Sequence, residues 1–244
     1  MDGAGDGWKS VLSTRSPVGT AASEARRRTD FAGARAAAFA LASRLVASPF
    51  DPSFDEEAQL PEDLPEALVT LADALPYDSG LAALVEPARA QLAADPSALA
   101  REYGALFEVG SSGPPLPIRE EVAQGELLGP KAKEEIVRFY EHFGYPLHAE
   151  RRWAPDHLSV ELEFLYLLAF REAGAEHRQD AAPFARGQRD FLERHPLVWL
   201  PQLAKAVAHR SRHAWLRALF PALALWLERD HAWLRVRLSA EEQQ

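Results

Sequence analysis

Apolar residues recur every three or four positions along most of this chain, which is the spacing of one face of an α-helix. The first apolar stripe consists of Phe31, Ala34, Ala38, Leu41, Leu45 and Val46. It stops before Pro49, because the residue that precedes a proline disfavours the helical conformation. Two arginines, Arg35 and Arg44, interrupt this stripe, and we expect them to lie on the solvent face of a first helix.

Similar stripes predict eight further helices. We place them near residues 64–75, 81–92, 96–107, 131–143, 155–173, 181–194, 197–210 and 212–228. The sequence Asp95-Pro96 is typical of a helix start, since Asp can cap free N–H groups and Pro fits the first turn. The helix after Pro155 is apolar on most sides, which indicates a central core helix. The pattern therefore predicts an all-α fold, a single globular domain of about nine helices.

The longest break between these stripes is the stretch GSSGPPLP at residues 110–117, which predicts a stiff, Pro-rich middle loop. Residues 1–28 show no periodic apolar pattern, and we expect them to be a mobile segment. We assign residues 29–240 to the helical domain. Its predicted parts are an N-terminal half (29–109), a loop (110–130) and a C-terminal half (131–240).

Composition supports the all-α prediction. Ile, Val and Thr together number 18 among 244 residues, and Cys is absent. The absence of Cys excludes disulfides, Cys-ligated metals and thiolate nucleophiles. Arg26-Arg27-Arg28 before an Ala-rich run resembles an export signal, but Arg35 and Arg44 would interrupt its apolar core. No uncharged stretch approaches the roughly 20 residues of a membrane span, so we expect a cytoplasmic protein.

Charge is distributed unevenly along the chain, whose formal net charge is −9. Ten acidic and no basic residues lie between Arg44 and Arg89, whereas residues 171–237 carry twelve basic and seven acidic residues. An acidic block of this kind attracts a basic peptide and repels nucleic acid, so we expect no nucleic-acid partner. The alternative interpretation is an ordinary solvated helical surface.

Candidate chemistry is sparse. No phosphate-binding loop or hydrolase elbow occurs. His209 and His213 are four residues apart, but we interpret them as surface histidines. His157 and Glu161 have the same spacing and could share a metal ion, which makes a metal-dependent hydrolase the alternative function. An all-α transcription regulator is a third hypothesis, and it would need a basic recognition helix.

Three ordered segments carry a resemblance to a known family. Residues 102–110 read EYGALFEVG and precede the Pro-rich loop. Residues 139–144 read FYEHFG and are followed by PDHLSVELEFL at 155–165. Residues 191–199 read FLERHPLVW. With the first helix ending at Ser48-Pro49, this order resembles the TorD/DmsD/NarJ family of molybdoenzyme chaperones, and the matches cover most of residues 31–228.

The resemblance implies a cytoplasmic, all-helical chaperone that is not an enzyme and has no cofactor of its own. Such proteins bind the twin-arginine signal peptide of a molybdenum oxidoreductase catalytic subunit and delay its export until the molybdenum cofactor is inserted. By similarity, the peptide-binding residues are Pro155, Asp156, His157 and Glu161, supported by Tyr103, Leu106 and Phe107. Trp153, in the loop before this turn, is a candidate ligand-facing aromatic residue.

The chain departs from the family pattern after its Pro-rich loop. Many relatives carry an aromatic residue followed by Ser there, whereas this chain has Ile118-Arg119-Glu120. The 155–165 stretch looks closest to chaperones of the nitrate reductase-like and ethylbenzene or dimethylsulfide dehydrogenase-like branch. The sequence leaves the oligomeric state open between a monomer and a dimer that exchanges halves.

Overall fold

The computed structural model describes residues 21–50, 60–110, 113–147 and 154–243, with side chains from residue 30 onwards. Within these ranges the chain forms nine α-helices. They are α1 (Ala21–Leu45), α2 (Leu64–Ala74), α3 (Val85–Leu92), α4 (Pro96–Tyr103), α5 (Glu120–His142), α6 (Leu158–Gly174), α7 (Arg178–Arg194), α8 (Pro196–Arg210) and α9 (Ala214–Glu242). A 3₁₀ turn (Leu81–Leu84) precedes α3, and a π-helical segment (Gly104–Val109) follows α4. The prediction of an all-α fold is confirmed.

Helices α1 and α6 form the centre of the fold and pack against each other more extensively than any other pair. Alanines on several sides of α1 are buried, which lets neighbouring helices approach its backbone closely. Around this pair, α7, α8 and α9 pack together on the C-terminal side, and α2 packs with α3 and the 3₁₀ turn. The apolar 158–169 stretch is therefore the central core helix that its sequence predicts. No helix among the described residues is long and apolar enough to cross a membrane.

The surroundings of α1 correct one prediction. Arg44 is exposed as expected, but Arg35 is completely buried. Its Nε and Nη2 atoms donate to the two carboxylate oxygens of Asp230 on α9, over 2.6 and 2.7 Å. The prediction that Arg35 faces solvent is wrong because α1 is covered on nearly all sides, so even its polar positions meet other helices.

The predicted middle loop is also too long. Residues 120–130 were assigned to the loop, whereas α5 already begins at Glu120. The helix is interrupted at Gly125, whose φ of 74° lies in the left-handed region that favours glycine, and it continues past Pro130 to His142. At the other end of the chain, α9 extends to Glu242 rather than 228, because Leu234 and Leu238 continue its buried face.

The Pro-rich segment 113–119 links the two halves of the fold. At one end Leu116 donates its backbone N–H to the carbonyl of Leu106, over 2.7 Å. At the other end Leu158 donates to the carbonyl of Ile118, over 3.1 Å. Leu116 and Ile118 are both buried. The segment is thus a strap between the end of the N-terminal half and the start of α6. The first helix begins at Ala21, residues 1–20 lie outside the described residues, and the mobile 1–28 segment stays a prediction.

Candidate functional site

The turn at residues 154–157 brings Asp156 against the end of the strap. Its side chain is completely buried. Carboxylate oxygen Oδ1 accepts hydrogen bonds from Nε and Nη2 of Arg119, over 3.3 and 3.0 Å. The other oxygen, Oδ2, accepts from the backbone N–H of Glu121, over 2.9 Å. Asp156 is therefore a buried carboxylate whose partner is a guanidinium.

The neighbours of Asp156 hold this turn in place. The backbone N–H of Glu120 donates to the Asp156 carbonyl, over 3.0 Å. The Tyr140 hydroxyl donates to the carbonyl of Pro155, over 2.8 Å. His157 is half-buried, and its Nδ1 accepts from the backbone N–H of Ser159, over 3.2 Å, so that it caps the start of α6. The cap of α6 is thus His157, while the carboxylate of Asp156 is engaged elsewhere.

Glu161 lies one turn into α6 and is completely buried. Burial raises the pKa of its carboxyl well above its usual range, and the nearby carboxylates of Glu120 and Asp156 raise it further. Burial therefore favours the protonated, uncharged form of the Glu161 carboxyl. Glu120 is also buried and lies 3.2 Å from Nδ1 of His195, a buried residue at the start of α8. Gln124 donates its side-chain N–H to Glu120.

We call these residues the Asp156 cluster. It comprises Arg119, Glu120, Glu121, Lys133, Asp156, Glu161 and His195. Its two permanent cations meet at the half-exposed carboxylate of Glu121, which lies 3.0 Å from Nη2 of Arg119 and 2.9 Å from Nζ of Lys133. The cluster therefore places the carboxyl groups of Glu120, Asp156 and Glu161 in the interior. Its cations and the Glu121 carboxylate lie toward the surface.

An exposed apolar corner adjoins the cluster. It consists of Val122, Leu127 and Leu128, whose exposed fractions are 59%, 86% and 58%. A Cβ on Gly129 would collide with the carbonyl oxygen of Glu121, so the two pieces of α5 on either side of Gly125 fold closely together. This brings the corner next to Glu121, the residue whose N–H holds Asp156.

The motif residues Tyr103, Leu106 and Phe107 form a second group and do not join the Asp156 cluster. All three are buried. The Tyr103 hydroxyl donates to the carbonyl of Val46, over 3.2 Å, and the Phe107 ring lies 5.3 Å from that of Phe220. They are linked to Asp156 only through the strap, where the backbone N–H of Leu116 donates to the Leu106 carbonyl. They position the strap and the helices around it.

Several residues of this region were missed in the sequence. Arg119 was noticed only as a departure from the family pattern, and that departure was the available signal. Glu120 and His195 are 75 positions apart, and nothing local pairs them. Glu102 joins α4 to the α8–α9 junction, because its carboxylate accepts from Ser211 Oγ over 2.9 Å and from the N–H of Arg212 over 2.6 Å.

Metal binding has little support in this geometry. Among the described residues no group of three or more His, Asp or Glu side chains could hold a metal ion. Nδ1 of His157 accepts a hydrogen bond from the backbone N–H of Ser159, and the Glu161 carboxyl is completely buried. His209 is exposed and His213 is half-buried, with its pKa lowered by burial. Trp153 lies outside the described residues, so its ligand-facing role stays a prediction.

Comparison with known proteins identifies similar chains. The family model described as nitrate reductase delta subunit matches residues 57–205. The selenate reductase assembly chaperone protein of Thauera selenatis is 36% identical over 148 residues, which are 59% of this chain and 77% of that protein. The chlorate reductase assembly chaperone protein of Ideonella dechloratans is 39% identical over 119 residues, covering 48% and 59% of the two chains.

A more distant relative is the chaperone protein TorD of Vibrio cholerae, which is 28% identical over 107 residues. These residues make up 44% of this chain and 49% of that protein. No solved structure matches the chain.

Proposed function

The chain belongs to the nitrate reductase delta subunit family, as the resemblance to the TorD/DmsD/NarJ proteins predicted, and from this premise we propose that it is an assembly chaperone. Its client is the catalytic subunit of a molybdenum oxidoreductase of the branch that includes selenate and chlorate reductases. The chain binds the client's twin-arginine signal peptide in the cytoplasm and delays export until the molybdenum cofactor is inserted. It is not itself an enzyme.

The buried carboxylate of Asp156 is the observation that carries the peptide-binding part of this proposal. It already holds a guanidinium, with Nε and Nη2 of Arg119 at 3.3 and 3.0 Å from one of its oxygens. Contacts from a guanidinium to a carboxylate are strong and directional, and a signal peptide with two arginines presents this group. The interior of the Asp156 cluster is rich in carboxyl groups, which favours a cationic ligand electrostatically.

The exposed apolar corner is the part of the site that binds the apolar stretch of the signal peptide. A signal peptide has an apolar stretch after its arginines, and the exposed side chains of Val122, Leu127 and Leu128 lie beside the Asp156 cluster. An extended or helical apolar stretch laid on this corner would remove these side chains from water. Pro155 and His157 frame the turn that carries Asp156, while Tyr103, Leu106 and Phe107 act through the strap.

Calorimetric titration with a synthetic peptide tests the proposal. The peptide carries two adjacent arginines followed by a leucine-rich stretch, and a matched peptide has both arginines replaced by lysine. We expect the arginine peptide to bind at least about tenfold more tightly, because an ammonium lacks the fork of N–H donors. Equal affinity for the two peptides would contradict recognition through Asp156.

A pair of variants locates the binding. Asp156→Asn should weaken binding of the arginine peptide by about tenfold or more, since a neutral amide replaces the charged acceptor. Asp78→Asn is the matched control, because Asp78 also pairs with an arginine, Arg229, but is exposed. Circular dichroism verifies that both variants remain helical. An affinity that falls equally in both variants would remove Asp156 from the site.

The chaperone role is tested with the client subunit itself. The catalytic subunit is produced with the chain, without it, and with the Asp156→Asn variant, and its molybdenum content is measured. We expect the full metal content only with the unaltered chain. Unchanged molybdenum content in its absence would overturn the assembly role.

A further inference from the structure

We propose that Arg119 occupies the position that a ligand's guanidinium takes at Asp156, so that peptide binding is an exchange of one arginine for another. This inference rests on the proposed function in one respect, namely that Asp156 receives an arginine of the peptide. It adds the regulation of that site: the chain holds its own competitor, and the affinity for a peptide is set by how readily Arg119 leaves.

The first argument is that Asp156 offers no place to a second guanidinium. Its side chain is completely buried, Oδ2 is taken by the N–H of Glu121 at 2.9 Å, and Oδ1 is covered by Nε and Nη2 of Arg119. An incoming arginine can reach Oδ1 only after Arg119 has moved. A buried carboxylate that has lost its cation is strongly unfavourable, so the departure of Arg119 is coupled to the arrival of the ligand's arginine.

The second argument is that the Arg119 guanidinium itself loses little when a ligand's guanidinium replaces it at Asp156. Its side chain is 23% exposed, whereas the carboxylate that it holds is completely buried. Glu121 offers it an alternative carboxylate nearer to solvent, with Oε2 at 3.0 Å from Nη2. A rotation of the Arg119 side chain therefore keeps its ion pair with Glu121 while it releases the one with Asp156.

The third argument is that the backbone around Arg119 is fixed independently of its side chain. The Ile118 carbonyl accepts from the N–H of Leu158, and the N–H of Glu120 donates to the Asp156 carbonyl, over 3.1 and 3.0 Å. Arg119 also forms an isolated antiparallel bridge with His157. The exchange thus needs a side-chain movement and leaves the strap in place.

The exchange is tested first by chemical rescue, which needs no client. Arg119→Ala leaves a space of guanidinium shape beside Asp156. Methylguanidinium at about 10 mM should raise the Tm of this variant by a few degrees relative to its effect on the unaltered chain, whereas methylammonium should not. The double variant Arg119→Ala/Asp156→Asn should lose the response. An equal Tm change in the single and double variants would overturn the exchange.

Peptide affinity gives the second test. Removing the competitor should tighten binding of the twin-arginine peptide to Arg119→Ala by about fivefold or more, because more of the protein is then competent to bind. Arg119→Lys keeps a cation that binds Asp156 less strongly than a guanidinium does, and it should give an intermediate affinity for the peptide. Arg138→Met is the control, since Arg138 is an exposed arginine on α5 that pairs with Glu134 and is not part of the Asp156 cluster, and we expect it to bind as the unaltered chain does.

The outcomes separate this inference from the proposed function. If Asp156→Asn weakens peptide binding but Arg119→Ala leaves the affinity unchanged or lowers it, the signal-peptide site stands and the exchange is overturned. If methylguanidinium rescues Arg119→Ala but no arginine peptide binds to any variant, Asp156 accepts an external guanidinium and the signal-peptide proposal fails.

Discussion

Two buried charged clusters lie within the part of the chain that the structure describes, and they are built differently. In the first, Arg35 and Arg237 face Asp230 and Glu172, so that two guanidiniums meet two carboxylates. We call this the Arg35 cluster. In the Asp156 cluster, the carboxyl groups of Glu120, Asp156 and Glu161 are completely buried, but Arg119 and Lys133 are only partly so. One cluster is balanced and closed, and the other keeps its cations at the surface.

The difference indicates which cluster is the better candidate for a binding site. Burial alone would lower the pKa of Arg35, but the carboxylate of Asp230 more than offsets this and raises it above its ordinary value. Tyr77 also donates to Asp230, and Trp226 donates to the Tyr77 hydroxyl over 3.2 Å. The guanidinium of Arg35 is completely buried and paired with Asp230. In the Asp156 cluster the paired guanidinium of Arg119 is partly exposed, and this property makes the cluster a candidate for binding.

Breaking the balanced cluster should produce the largest effect. Arg35→Met leaves Asp230 and Glu172 buried with less compensation, and we expect the free energy of unfolding to fall by about 3–5 kcal/mol. Urea denaturation followed by circular dichroism measures this loss. Arg44→Met, on an exposed position of the same helix, is the control and should change stability by less than about 0.5 kcal/mol. Similar losses in both variants would contradict the assignment of Arg35 as a buried structural cation.

The contribution of the Asp156 cluster to the free energy of unfolding should depend on pH. The pKa of Glu161 is raised above its ordinary value of 4.5, mainly by burial and then by Glu120, so the folded state retains a proton that the unfolded chain releases. Its contribution to stability is complete below pH 4.5 and is lost as pH rises toward the folded pKa. Glu161→Gln mimics the protonated carboxyl and should remove this loss, which amounts to at most about 1.4 kcal/mol per pH unit.

Urea denaturation at pH 5 and pH 8 measures the difference. Glu161→Gln should match the unaltered chain at pH 5 and exceed its stability at pH 8. Glu126→Gln, at an exposed position on α5, is the control and should follow the unaltered chain at both values. Parallel pH profiles for Glu161→Gln and the unaltered chain would show that this carboxyl is ionised in the fold.

We expect the smallest losses of stability when a tyrosine that supports either cluster is replaced by phenylalanine. Tyr77 donates to Asp230 in the Arg35 cluster, and Tyr140 donates to the Pro155 carbonyl beside Asp156. Tyr140→Phe removes one hydrogen bond and Tyr77→Phe removes two, since Trp226 also donates to the Tyr77 hydroxyl, and each lost bond should cost about 1 kcal/mol of stability. Only Tyr140→Phe should also weaken binding of the arginine peptide, because it loosens the turn that carries Asp156. Equal peptide affinities for the two variants would show that the turn needs no such support.

The helices could be predicted from sequence because their apolar spacing is local. The helix predicted at residues 155–173, which is α6, was identified as central because it is apolar on most sides. The partners of Arg35 could not be predicted, since Asp230 lies 195 positions away. The start of α5 at Glu120 was also missed, because the prediction extended the Pro-rich loop through residue 130. The break is confined to Gly125, and the helix that surrounds it is held by Gly129 packing on Glu121.

The candidate site was predicted in part. The Pro155-Asp156-His157 turn was located by resemblance, but its electrostatic partners come from the strap, from α5 and from the start of α8. A carboxylate in a sequence motif does not reveal whether it is free or already paired. Here the pairing with Arg119 depends on the antiparallel bridge between Arg119 and His157, which no periodic pattern encodes.

The ion pair between Arg35 and Asp230 has a consequence for biosynthesis. The ribosome adds about 5–20 residues per second, so Asp230 is made roughly 10–40 s after Arg35. During that interval α1 lacks the main counter-ion of Arg35. Because Arg35 is completely buried in the finished fold, we expect a chain that ends before α9 to be less stable than the unaltered chain.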